Sequence, residues 1–176
     1  MSHIHGAESG PGVWHERDVA RGHVVAAVDA LTRPPEEVAP FRAFLDALGP
    51  ALDRLPQPTR LLDLGCGVGH YGELLDRVHP NRFVYVGADF PAMVTEAQGA
   101  FPQRTYIVAD LELGEPPLEG YDMLLASSSI PTLRDWRKAL ERLLASSAPL
   151  VFLHRQAIGW RTSTTPIRRT EAPHGT

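Results

Sequence analysis

Hydrophobic positions along this chain follow two regimes. Between Trp14 and Leu31, Val24, Val25, Val28 and Leu31 recur at helical spacing, and Thr32-Arg33-Pro34-Pro35 stops the run. A second helix is expected from Glu36 to Leu55, with Phe41, Phe44, Leu45 and Leu48 on its apolar face and Gly49-Pro50 as a break or kink. Pro56-Gln57-Pro58 reads as a stiff linker. From Thr59 onward, short apolar runs alternate with helical stretches, the signature of βαβ units and a parallel sheet. The expected strands are Arg60–Leu64, Phe83–Ala88, Thr105–Ala109, Tyr121–Ala126 and Pro149–Leu153. The expected helices between them are His70–Val78, Ala92–Ala100 and Leu133–Ser146, with Leu111 to Gly120 as a loop. The fold class is therefore α/β, a doubly wound and mostly parallel sheet preceded by N-terminal helices.

The first strand ends in Asp63-Leu64-Gly65-Cys66-Gly67-Val68-Gly69 and a helix follows. Glycines at such a turn allow positive φ and close approach of backbone to a ligand. The helix start offers free N–H groups that can hold a carboxylate. A competing frame, Gly67-Val68-Gly69-His70-Tyr71-Gly72, fits the dinucleotide pattern G-x-G-x-x-G. Two features oppose it. The strand ends at Leu64, so the turn begins at Gly65, and in that frame His70 stands where the third glycine belongs. Asp63 also places a carboxylate beside the turn, which repels a pyrophosphate and attracts an ammonium or sulfonium. S-adenosylmethionine carries both cations and no phosphate.

Asp63-x-Gly65-Cys66-Gly67-x-Gly69 resembles the first motif of class I S-adenosylmethionine-dependent methyltransferases. The resemblance runs from about Thr59 to Arg155 and implies roles for further positions. Asp89, 20 residues beyond Gly69, ends strand two and stands where an acid accepts from a ribose diol, a task that NAD enzymes share. Asp110, after strand three, corresponds to the acceptor of the adenine amino group, with the backbone of Leu111 beside the ring. Phe90 and Met93 are candidates for an apolar wall, or for packing of the next helix. Ser127 lies near the methyl donor by the rule that ligands sit at the carboxyl ends of strands; Ser127-Ser128-Ser129 contact substrate or lead the next helix. His70 and Tyr71 edge the methionine part, Asp122 is structural, and His154 is either a base toward a hydroxyl nucleophile or a packing residue. The implied cofactor set is thus Asp63, Gly65, Cys66, Gly67, Gly69, Asp89, Phe90, Asp110, Leu111 and Ser127. No catalytic residue is identified. No His/Cys/Asp/Glu cluster has metal-ligand spacing, so no metal is expected.

Composition narrows the reading. The chain has 176 residues, about one domain. With 17 basic and 21 acidic side chains it carries a formal net charge of −4, which disfavours a broad nucleic-acid footprint. Cys66 is the only cysteine, so an internal disulfide is excluded and a cytoplasmic setting is expected. No apolar stretch is long enough to span a membrane.

The domain plan is a flexible tail (1–12), a helical segment (13–58), a cofactor-binding α/β core (59–155) and an irregular tail (156–176). The last is too short for the helix and hairpin that complete the family's usual seven strands. Strand five is then a sheet edge, to be covered by a second copy of the chain or by the terminal segments, or left open in a truncated form. The functional expectation is methyl transfer from S-adenosylmethionine to a small molecule. The alternatives are a non-catalytic or truncated S-adenosylmethionine-binding domain and, last, an NAD-binding oxidoreductase fragment.

Overall fold

The computed structural model describes residues 17–156 of the chain. Helices α1 (Arg17–Thr32) and α2 (Ala39–Leu52) precede five strands, β1 (Thr59–Leu64), β2 (Phe83–Asp89), β3 (Thr105–Val108), β4 (Met123–Ser127) and β5 (Leu150–His154). Helices α3 (His70–Val78), α4 (Pro91–Ala100) and α5 (Trp136–Leu144) fill the crossovers, with short 3-10 turns at Pro35–Glu37, Leu111–Leu113 and Ile130–Thr132. All strand pairs are parallel, in the order β3-β2-β1-β4-β5. The order reverses beside β1, so a crevice opens between the ends of β1 and β4, where ligands of doubly wound folds bind. Among the described residues, no strand pairs with the outer edge of β5.

Strand alternation sorts side chains onto two cores. Leu61, Tyr85, Tyr106, Met123, Leu125 and Phe152 pack against Phe41 and Phe44 of α2 and Leu74 and Leu75 of α3. Leu62, Leu64, Ala88, Leu124 and Ala126 pack against Ile130, Leu133 and Ala139 and Leu143 of α5. Both sheet faces are covered, which is why the strands read as continuous apolar runs. By the same period-two rule, Asp63, Ser127 and His154 face the side of α2 and α3, so polar groups cluster under one helix pair.

Five strands and the intervening helices stand within one to three residues of their expected limits. Four details differ. On α1 the buried seam is Ala20, Ala27 and Leu31, while Val25 and Val28 are exposed. Small residues let α1 lie closely on α3 and α4, so the valines turn outward. Gly49-Pro50 does not end α2, which runs on to Leu52. The carbonyl that Pro50 cannot serve belongs to Asp46, an exposed residue, so the missing bond is not buried. Helix α5 starts at Trp136 rather than Leu133, because Asp135 caps it by accepting from the Lys138 N–H. Strand β4 starts at Met123: the carboxylate of Asp122 accepts the Arg60 N–H at 2.7 Å and closes the sheet end instead.

Arg82 anchors the linker. Its guanidinium donates to the carbonyls of Leu52, Leu55 and Pro56 and to the Thr59 hydroxyl, at 2.5 to 3.1 Å. The end of α2 is thereby tied to the start of β1 and β2, opposite the crevice.

Candidate functional site

Strand β1 ends at Leu64 and the turn begins at Gly65, as the hydrophobic pattern requires. Gly65 and Gly67 have φ of 69° and 57°. A Cβ on Gly65 would lie 2.3 Å from the Cβ of Ser129, so the turn packs directly on the segment after β4. A Cβ on Gly67 would meet nothing within 4 Å, because Gly67 borders an open cleft. Asp89, at the end of β2, holds this turn: its Oδ2 accepts the Gly67 N–H at 2.7 Å and its Oδ1 accepts the Phe90 N–H at 2.7 Å.

The cleft is bounded by this turn, the start of α3, the loops after β2, β3 and β4, and the end of β5. It brings together Asp63, Gly65, Cys66, Gly67, Asp89, Phe90, Leu111 and Ser127 of the expected set. Gly69 and Asp110 do not line it. Gly69 begins α3 in a left-handed conformation, with Tyr106 packed where its Cβ would be. Asp110 caps the short turn beyond β3, accepting the Glu112 N–H at 2.8 Å, and its neighbours Ala109 and Leu111 meet the cleft instead.

Asp63 is fully buried, and its Oδ2 accepts the Tyr85 hydroxyl at 2.8 Å. Its Oδ1 is buried with no hydrogen-bond partner. Burial pushes the Asp63 carboxyl up to about 7, opposed by the Tyr85 hydroxyl and assisted by the nearby charge of Asp89. The site thus holds an acceptor that lacks a donor and ionises readily once a cation arrives. Asp89 presents a second carboxylate at the same end of the cleft, fixed by its two backbone bonds. Both features fit a ligand with a cationic head and a ribose. The Cys66 thiol is buried and pushed well up by burial and by Asp89 and Asp63, which keeps it protonated and unreactive.

Sequence reasoning missed part of the opposite wall. Thr132, Leu133 and Arg155 line the cleft, and His23 reaches it from α1. Of the two residues that end β5, the one at the cleft is Arg155. His154 does not line it; it lies 91% buried between Phe44 and Tyr71, at ring distances of 5.6 and 5.7 Å. Of the two roles open to His154, its geometry fits packing, since it points inward with Phe152 on the same strand face. The signal for Arg155 was its place beyond the carboxyl end of a strand, where ligands of this architecture bind.

The chain matches the family model described as "Methyltransferase domain" over residues 35–162. It is 29% identical to the trans-aconitate 2-methyltransferase of Variovorax paradoxus over 121 residues, 69% of this chain and 42% of that protein. The trans-aconitate 2-methyltransferase of Yersinia pestis is 35% identical over 96 residues, 54% of this chain and 36% of that protein. The chain therefore spans less than half the length of these curated relatives. Its fold matches that of a Methanococcus maripaludis protein assigned as an S-adenosyl-L-methionine-dependent methyltransferase, with a TM-score of 0.56 and 14% identity, covering 81% of this chain and 61% of that one.

Proposed function

The chain belongs to the methyltransferase-domain family, and on that premise we propose that it methylates a small molecule at the cleft between the glycine turn and the ends of β4 and β5. The cofactor is S-adenosylmethionine. The observation that carries this reading is the pair of carboxylates at the turn, Asp63 with a buried acceptor atom lacking a donor and Asp89 bound to the Gly67 N–H. No lysine or arginine among the described residues lines that end of the cleft, so a pyrophosphate has no counter-charge there.

When bound, S-adenosylmethionine supplies a sulfonium methyl that an acceptor nucleophile displaces in line. Asp63 balances the cationic head of the ligand, and the Tyr85 hydroxyl keeps the carboxylate aimed. Asp89 accepts from the ribose while holding the Gly67 backbone against it. Phe90, Met93 and Leu111 form the apolar wall for the adenine, and Asp110 shapes the turn that brings Ala109 and Leu111 to it. Ser127 borders the reacting methyl. The protein contributes chiefly by positioning two reactants and excluding water.

The names of the relatives specify trans-aconitate, which supports a small acceptor rather than a nucleic acid. The net charge of −4 supports the same choice. Calorimetry with S-adenosylhomocysteine and NAD tests the cofactor site, and transfer of labelled methyl to a panel of small acids and alcohols tests turnover. NAD binding without a response to S-adenosylhomocysteine would overturn the reading.

A further inference from the structure

Helix α1 packs on α3 and α4 through the small residues Ala20 and Ala27, with Leu31 beyond them. His23 is three positions after Ala20 and four before Ala27, so it stands on the same face of the helix. A side chain on that seam should be covered, yet His23 is exposed, because the cleft lies beneath it rather than a helix. Its charged neighbours are Arg155 beyond β5 and His70 at the start of α3. Arg21, beside it on α1, is paired with Glu96 of α4 at 3.7 Å. Partial desolvation and the charge of Arg155 lower the His23 pKa from its ordinary value of 6.5, so near neutrality the imidazole is uncharged and carries a basic nitrogen.

The other titratable groups that line the cleft are committed elsewhere. Asp63 is fully buried and bound to the Tyr85 hydroxyl, and Asp89 is bound to the Gly67 and Phe90 N–H groups, both at the turn end. The Cys66 thiol and the Tyr71 hydroxyl are pushed up by burial and stay protonated. Burial and the charges of Arg155, His23 and His154 hold the His70 imidazole down at about 4, and its Nδ1 is buried. Arg155 has no basic atom. We infer that His23 is the general base of the reaction and that the methyl acceptor is a hydroxyl, whose proton His23 takes as the oxygen is methylated. The inference rests on the methyl-transfer reading of the cleft and adds the base and the accepting group. The acceptor oxygen bonds the methyl carbon, the sulfur–carbon bond breaks with its electron pair left on sulfur, and the O–H proton moves to the imidazole. One positive charge leaves the sulfur and one arises on His23, so the charge of the cleft is the same before and after the step. A carboxylate acceptor has no proton to shed near neutrality and would need no base.

The first test needs no known acceptor. The His23 imidazole is titrated by NMR, its signals assigned by their loss in His23→Gln, with S-adenosylmethionine or S-adenosylhomocysteine bound. These ligands differ by one methyl and one charge at the reacting sulfur. A base within reach of that methyl titrates lower with S-adenosylmethionine, by roughly half a pH unit or more for charges within about 8 Å. Equal midpoints overturn the inference, because His23 then lies away from the sulfur. The second test offers labelled methyl donor to alcohols, phenols and small carboxylic acids. Transfer to a hydroxyl is expected, with kcat falling as pH drops through the His23 midpoint. His23→Gln should slow it about 10²- to 10⁴-fold and keep the parent's affinity for S-adenosylhomocysteine. Transfer to a carboxylate, or to a hydroxyl at the parent rate by His23→Gln, overturns the inference. Calorimetry that finds neither ligand bound sinks the methyl-transfer reading itself, an outcome distinct from equal midpoints with both ligands bound.

Discussion

The Asp89 carboxylate accepts the backbone N–H of Gly67 at 2.7 Å, across 22 residues of chain. One side chain thus does two things. It fixes the glycine turn after β1 and presents acceptor oxygens at the mouth of the cleft. The end of β2 and the end of β1 are coupled through it at the point where the sheet order reverses.

Asp89→Ala removes both functions. Affinity for S-adenosylhomocysteine is expected to fall roughly ten- to hundred-fold, the usual weight of charge-assisted bonds. Calorimetry on the folded variant measures it, and parent-like affinity would remove Asp89 from the ribose role.

Asp63 sets a pH dependence with opposite signs for stability and binding. Its carboxyl is raised to about 7 in the folded chain from its ordinary value of 3.8. Its contribution to stability is complete below the lower value, is lost as pH rises between the two, and is constant above about 7. Asp63→Asn is expected to remove this component, read as the difference in urea stability between variant and parent at pH 5 and pH 8. Binding of a cationic head needs the ionised form, so affinity for S-adenosylhomocysteine should rise from pH 5.5 to pH 8, by up to about tenfold per unit below the pKa. A variant with the parent's pH profile would place that ionisation elsewhere.

Gly65 and Gly67 should respond differently to alanine. At Gly67 the new Cβ meets open cleft, so the fold bears only the left-handed strain, about 1–2 kcal/mol, while ligand approach is obstructed. At Gly65 the Cβ collides with Ser129 at 2.3 Å, and stability falls further. Denaturation midpoints set beside S-adenosylhomocysteine affinities separate the two. Equal stability losses, or undiminished binding by Gly67→Ala, would contradict this geometry.

Arg82→Ala should act on stability alone. It deprives three carbonyls and the Thr59 hydroxyl of their donor, far from the cleft. A loss of about 1.5–3 kcal/mol in urea unfolding is expected, with cofactor affinity unchanged. A change in affinity without a change in stability would be inconsistent with an anchoring role.

The central strands were legible because both faces of β1 and β4 are buried, which leaves uninterrupted apolar runs such as Met123-Leu124-Leu125-Ala126. The glycine turn was legible because positive φ and close approach admit few other residues. The orientation of α1 was not, since Val25 and Val28 carry a stronger hydrophobic signal than the alanines that pack. The end of β5 was legible only in part. His154 and Arg155 are adjacent and both plausible at a ligand site, and only the strand's facing decides which one turns inward.

The sequence by itself determined the parallel α/β order, the place of the acid-led glycine turn and the acid at the end of β2. These follow from period, length and backbone conformation, which are local properties. Tertiary structure decided that Asp63 meets Tyr85, that Ser129 presses on Gly65, and that Tyr71, His70 and Arg155 share one wall. Those meetings depend on strand register and on the direction of each side chain from the sheet, and they join residues up to 85 positions apart. Such distances lie beyond any local pattern, because only packing of the two cores brings the strand ends together.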